Sequence, residues 1–198
     1  MKNIIQHKYL KLICFGIFLS LFWSCKTTKI EKEKTKENDL AILENLFIQN
    51  DYHIEIDVAY PFNTASTAQV SNVLFRNTIN SANRIDVRGD SEYIKIKNDS
   101  VKGYLSFYGE RRINSGDYGG RNVAIQFDGP LMDLEKEINK DKGKVELEFT
   151  ADQSGNDSEN YTVKIEIFPN KEAVVNITPT YKTFMRYDGR LVDDHSKD

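Results

Sequence analysis

Three side chains at alternate positions, His53, Glu55 and Asp57, are the first that could do chemistry. In a strand, residues i, i+2 and i+4 point to one side. An imidazole with two carboxylates so placed offers donors to a divalent metal. One histidine falls short of a zinc set, and the intervening Ile54, Ile56 and Val58 are apolar. The trio therefore reads as the wet face of a strand, and no metal or other cofactor is expected. A second group, Asp152, Ser154, Asn156, Asp157 and Glu159, sets oxygens at intervals similar to a calcium loop. Gly155 comes too early for that template and no glutamate closes it, so a polar inter-strand loop is the plainer reading.

A basic cluster follows the same logic. Arg111, Arg112 and Arg121 bracket Tyr118-Gly119-Gly120, and paired guanidinium groups can hold an anion through bidentate contacts. A surface loop is the plainer reading. Tyr108 and Tyr187 stand close to Gly109 and Gly189, where a positive φ or a β-bulge is expected. Tyr108, Arg111, Arg112 and Tyr187 are thus candidates for a binding lip. Two capped strand ends packed together are the plainer reading. Arg88-Gly89-Asp90 carries no weight as a tripeptide. No Gly-x-Ser-x-Gly, Walker loop, dinucleotide fingerprint or His-Glu-x-x-His occurs, and no catalytic residue is assigned. Thirty acidic residues leave a hydrolytic carboxylate pair open, with no spacing rule to pick one.

One cysteine has a definite chemical expectation. Lys2, Lys8 and Lys11 precede the uncharged run from Leu12 to Ser24, which ends Leu-Phe-Trp-Ser before Cys25. The run is too short to span a bilayer and has the length of a signal-peptide core. Small Ser24 before Cys25 is similar to a lipoprotein cleavage site, so Cys25 is expected to carry the lipid. Cys14 would leave with the leader, and no disulfide would remain to hold an exported domain. The formal charge is −3, and −6 without the three leader lysines. An acidic surface argues against nucleic acid, which needs clustered Lys and Arg.

The elements that must carry these groups read as β. Lys26–Asn38 is charged, has one aliphatic residue, and is expected to be an extended, disordered tether. Asp39–Gln49 has apolar residues at helical spacing and predicts one short helix. From Asp51 the period becomes two. It recurs through Tyr52–Tyr60, Ile94–Lys97, Val123–Phe127, Val145–Phe149, Tyr161–Ile167 and Ala173–Thr178. Asn98-Asp99 and Pro169-Asn170-Lys171 are turn signals. Leu131–Asn139 is the one internal segment with weak helical character. The expectation is an all-β domain, an antiparallel sandwich or an open barrel-like sheet of about eight strands. Its organisation is a leader over 1–24, lipidated cysteine and tether over 25–38, the β domain over 39–192, and a polar tail over 193–198.

Gly103–Arg112 (GYLSFYGERR), the Gly119-Gly120 turn before Ile125 and Phe127, and the closing Arg186-Tyr187-Asp188-Gly189 carry a family resemblance. Over Asp51–Val192 the chain resembles domain-of-unknown-function family 4251, found mainly in Bacteroidetes lipoproteins. The resemblance implies an envelope β domain and no particular chemistry. By analogy with such lipoproteins, basic Lys26 and Lys29 after Cys25 imply an outer-membrane anchor facing the periplasm. The expected function is a non-catalytic binding or assembly module, held to the membrane by its lipid and meeting an envelope protein or glycan. A carboxylate-dependent hydrolase and a carrier of a small apolar ligand are the alternatives.

Overall fold

The computed structural model describes residues 27–111, 124–155 and 159–193. Helix α1 (Thr27–Ile48) opens the described chain. It begins well before Asp39, inside the stretch expected to be an extended tether. Lys and Glu are good helix formers, and Glu31–Glu37 consists of little else. A first unit ends at Ala41 and a second begins at Ile42.

The second unit contains β1 (Asp51–Pro61), α2 (Ala65–Leu74), β2 (Ile85–Asp86), β3 (Tyr93–Lys97), β4 (Ser100–Ser106), β5 (Ala124–Pro130), β6 (Met132–Asn139), β7 (Lys144–Asp152), β8 (Asn160–Ile167), β9 (Glu172–Pro179) and β10 (Met185–Leu191). One antiparallel sheet runs β5-β4-β3-β1-β10-β9-β8-β7-β6, with β2 paired to β1 beyond the end of β3. Strands β5 and β6 are separated only by Leu131. The first pairs with β4 and the second with β7, so one bent run of chain serves both ends of the sheet. Pro130, which has no N–H to donate, sits where the partner changes. The Ser154 amide donates to the Gln126 carbonyl at 2.8 Å and draws the end of β7 towards β5. The result is a nearly closed barrel, not a sandwich.

The alternation places Ile54, Ile94, Leu105, Ile125, Phe127, Leu147, Phe149, Tyr161, Ile165, Val175 and Tyr187 inside, all buried. Each large apolar side chain contributes about 1.5–3 kcal/mol of gross burial. Gly103 on β4 leaves the space filled by the Phe127 ring. The last turn of α1 packs Leu43 and Leu46 on this core, and the Tyr52 hydroxyl donates to the carbonyls of Leu46 (2.7 Å) and Gln49 (3.0 Å). Turns form at Asn98-Asp99 and Pro169-Asn170-Lys171 as expected, and Asn98 and Lys171 take positive φ of 52° and 67° there.

Three local expectations change. Leu131–Asn139 is not helical: Met132, Leu134 and Ile138 share the period of a strand, and pairing with β7 overrides the helical propensity of its Glu and Lys. Tyr60 leaves the core because a bulge between Ile56 and Val58 shifts the phase, burying Val58 and Ala59 together. Helix α2 was not foreseen. Thr64 caps it by accepting from the Thr67 amide, but it buries no residue and so has no apolar stripe to betray it.

Candidate functional site

The bulge in β1 has a chemical consequence on the outer wall. It brings Glu55 and Asp57 to either side of Arg190, which lies across from Glu55 on β10. Arg190 Nη2 meets Glu55 Oε2 at 2.7 Å, and Nη1 meets Asp57 Oδ1 at 2.6 Å. The hydrogen bond to Asp57, aided by Glu55, raises the guanidinium pKa further. His53 is set edge-on to Tyr93, with ring centroids 6.4 Å apart. Among the described residues no group of three or more His, Cys, Asp or Glu is arranged around a metal position.

These residues line a groove of about 700 Å³ with Arg88, Glu92, Tyr93, Lys95 and Lys102. Arg88 pairs with Asp86, and Lys102 pairs with Asp128 at 2.7 Å. Tyr104 lies directly across from Tyr93, so two tyrosines stand side by side on the outer face, Tyr104 being 42% exposed. One wall is the loop Val87–Ser91, where Gly89 and Ser91 take φ of 93° and 59°. The Arg-Gly-Asp tripeptide is part of this loop.

Glu92 forms part of the groove and was missed in the sequence. It is 2% exposed, with its carboxyl buried beside Ser106. Burial pushes its pKa up, against hydrogen bonds from the Ser106 hydroxyl and amide that lower it. A signal for it did exist. Glu92 is in phase with Ile94 and Ile96, so a charged side chain sits on the dry side of its strand.

The expected lip divides. Tyr187 is fully buried within the barrel, because Met185, Tyr187 and Gly189 are the inward residues of β10. Its hydroxyl donates to the Ser106 carbonyl, and burial drives its pKa well up. Tyr108 is half-buried against the same core, close enough to Glu92 to feel its charge. Arg111 forms an isolated bridge with Lys182. Arg112 and Arg121 lie outside the described residues, as do Gly119, Gly120 and Cys25. Tyr108 and Tyr187 thus both approach Ser106 and Glu92, and Tyr187 does so from inside.

Neither glycine of the lip has positive φ. Gly189 stands opposite the β1 bulge, where a Cβ would overlap the Glu55 carbonyl, and a Cβ on Gly109 would overlap Thr183 Oγ1. The Glu110 carbonyl accepts from the Thr183 amide, its own amide donates to the Thr183 hydroxyl, and its carboxylate accepts from the Thr64 amide and from the Thr64 and Thr67 hydroxyls. Those bonds lower its pKa and fasten the start of α2.

The calcium-like loop has other uses for its oxygens. Glu159 Oε2 pairs with buried Lys182 at 3.1 Å, and Oε1 accepts from the Tyr181 amide at 2.8 Å. Lys182 also reaches the Tyr161 hydroxyl at 3.1 Å, and Tyr161 bonds Gln153. Asp152 accepts from Asn160. Asn156 and Asp157 lie outside the described residues.

Comparison with known proteins gives a family and nothing finer. The family model described as Domain of unknown function (DUF4251) matches residues 32–191. No curated protein and no solved structure matches the chain.

Proposed function

The chain belongs to the DUF4251 family over residues 32–191, and from that footing we propose that it is a cell-envelope lipoprotein whose barrel is a non-catalytic binding module. Lys2, Lys8, Lys11, the apolar run to Ser24 and Cys25 support export and lipidation. No helix among the described residues is long and apolar enough to cross a membrane. Two acyl chains would anchor the protein firmly, at about 0.8 kcal/mol per buried CH₂. The basic residues after Cys25 support an outer-membrane anchor facing the periplasm.

One observation carries the binding reading: the barrel is filled while its outer wall is grooved. Phe127, Phe149, Tyr161 and Tyr187 occupy the interior, which disfavours an internal apolar ligand. The groove gathers His53, Tyr93, Lys95 and the Arg190 cluster on the outside. A hydrolase would draw its proton donor from Glu92, whose pKa is raised. Glu55 and Asp57, the other carboxylates lining the groove, are both engaged by Arg190.

The test has two parts in native cells. Wild-type chain takes up an alkyne-tagged fatty acid and sediments with membranes, whereas Cys25→Ser does neither. A photo-crosslinking residue replacing Lys95 gives adducts, and one replacing Thr162 on the far wall gives none. Unlabelled wild type overturns the anchor. Equal crosslinking at both positions overturns the groove. Hydrolytic turnover lost in Glu92→Gln overturns the non-catalytic reading.

A further inference from the structure

We infer that helix α2 is a self-association surface, whose exposed apolar stripe docks on the same stripe of a second copy of this chain. Val70, Val73 and Leu74 recur at i, i+3 and i+4 and form one stripe along α2. Phe62 and Ile79 stand just beyond its two ends. All five are 63–76% exposed. The other side of α2 faces the barrel. There Phe75 packs on the core, the Asn72 side chain accepts from the Ala82 amide at 2.9 Å, and the Thr67 hydroxyl donates to Glu110. A helix of 10 residues is marginal by itself and gains most of its stability by packing an apolar face. No described part of the chain covers the stripe. It shares no residue with the outer groove.

Three observations favour a second copy as its occupant. The first is area. The five side chains expose about 600 Å² on each copy, so a symmetric pair covers about 1,200 Å², the lower bound for a specific interface. The second is charge. The chain is net acidic, yet residues 62–85 hold no Asp or Glu, and their only ions are Arg76 and Arg84. Two acidic molecules meet there without setting carboxylates face to face. An antiparallel two-fold pairing sets Val70 against Leu74 of the second copy and keeps the two Arg76 side chains apart. The third is position. Helix α2 follows Pro61, whereas the N-terminal side joins β1 at Asp51, 11 residues and about 35 Å of strand away. The bilayer proposed to hold Cys25 is thus tethered to the other end of β1, which favours a protein over a lipid surface on α2.

The experiment co-expresses two differently tagged full chains in native cells, each with a photo-crosslinking residue replacing Val73. An adduct carrying both tags is expected, and the same residue replacing Thr162 gives none. Leu74→Glu, at an exposed position that the fold tolerates, lowers the yield of that adduct by about tenfold or more with the near-ultraviolet circular dichroism unchanged. Sedimentation of the purified full chain in detergent gives the protein mass of two chains for wild type and of one chain for Leu74→Glu. An adduct with lipid or with another protein in place of the doubly tagged one overturns the inference. So does a doubly tagged adduct that survives Leu74→Glu, and so does wild type that sediments as a single chain.

Discussion

The Tyr187 hydroxyl donates to the Ser106 carbonyl at 2.9 Å across the inside of the barrel. The bond joins β10 to the end of β4, two strands that do not pair and have β3 and β1 between them. Tyr187→Phe keeps the ring and removes the donor. It is expected to lower unfolding free energy by about 1–2 kcal/mol, measured by urea denaturation, with the near-ultraviolet spectrum retained. An unchanged midpoint would show that the bond contributes nothing net.

Glu92 gives the stability an unusual slope with pH. Burial raises its folded pKa above the unfolded value, with Asp90 adding a smaller push and Ser106 opposing it. The folded state then holds the proton more tightly than the unfolded chain. Its contribution is most favourable below the unfolded carboxylate value and is lost as pH rises through the folded one. Glu92→Gln removes that loss, so the variant gains on wild type as pH rises above the ordinary carboxylate range. Parallel denaturation curves at every pH would contradict the buried carboxyl.

Glu146 has the opposite sign. Its carboxylate meets Lys164 at 2.7 Å, Lys144 at 3.1 Å and Asn139 at 3.1 Å, and its pKa is lowered to about 2. Its contribution is present above the unfolded carboxylate value and disappears as pH falls towards about 2. Glu146→Gln is therefore less stable than wild type at pH 7 and equal to it near pH 2. Direct titration of the Glu146 carboxyl by NMR checks the pKa itself.

Two glycines on separate strands, β10 and β5, separate crowding from flexibility. Gly189→Ala places a Cβ into the Glu55 carbonyl, where backbone must move, and should cost about 3 kcal/mol or more. Gly129 has open space around its would-be Cβ and no positive φ. Gly129→Ala is expected to be neutral or stabilising by about 0.5 kcal/mol. Thermal unfolding of the two variants side by side decides the matter.

The buried pair Lys182–Glu159 tests how charge is tolerated in this core. Lys182→Met leaves the Glu159 carboxylate buried without its cation and should cost about 3–5 kcal/mol. Adding Glu159→Leu should recover much of that loss. A double variant no more stable than Lys182→Met would show that packing, not charge, sets the cost.

Much of the barrel was legible because its strands alternate. Val145, Leu147 and Phe149 against Glu146 and Glu148 leave no doubt about which side is dry. The phase shift at Ile56/Val58 was hidden, since Val58 and Tyr60 continue the sequence alternation that the bulge breaks. Helix α2 was hidden for another reason: with Val70, Val73 and Leu74 exposed, burial leaves no trace in its sequence. For the groove, His53, Glu55 and Asp57 could be placed on one face by counting. Arg190 could not, because its place beside them depends on a strand pairing across 135 residues of sequence. Glu92 was readable in principle as an acid in phase with Ile94, and Tyr187 stayed open between two readings because a tyrosine suits either an interior or a rim.

The sheet order puts β1, the first strand after α1, between β3 and β10. A pull transmitted from the N-terminal side reaches β1 before any other strand. Two ladders, to β3 and to β10, must part before β1 is released. The domain is therefore strung by a central strand, and force applied there is shared by two seams at once.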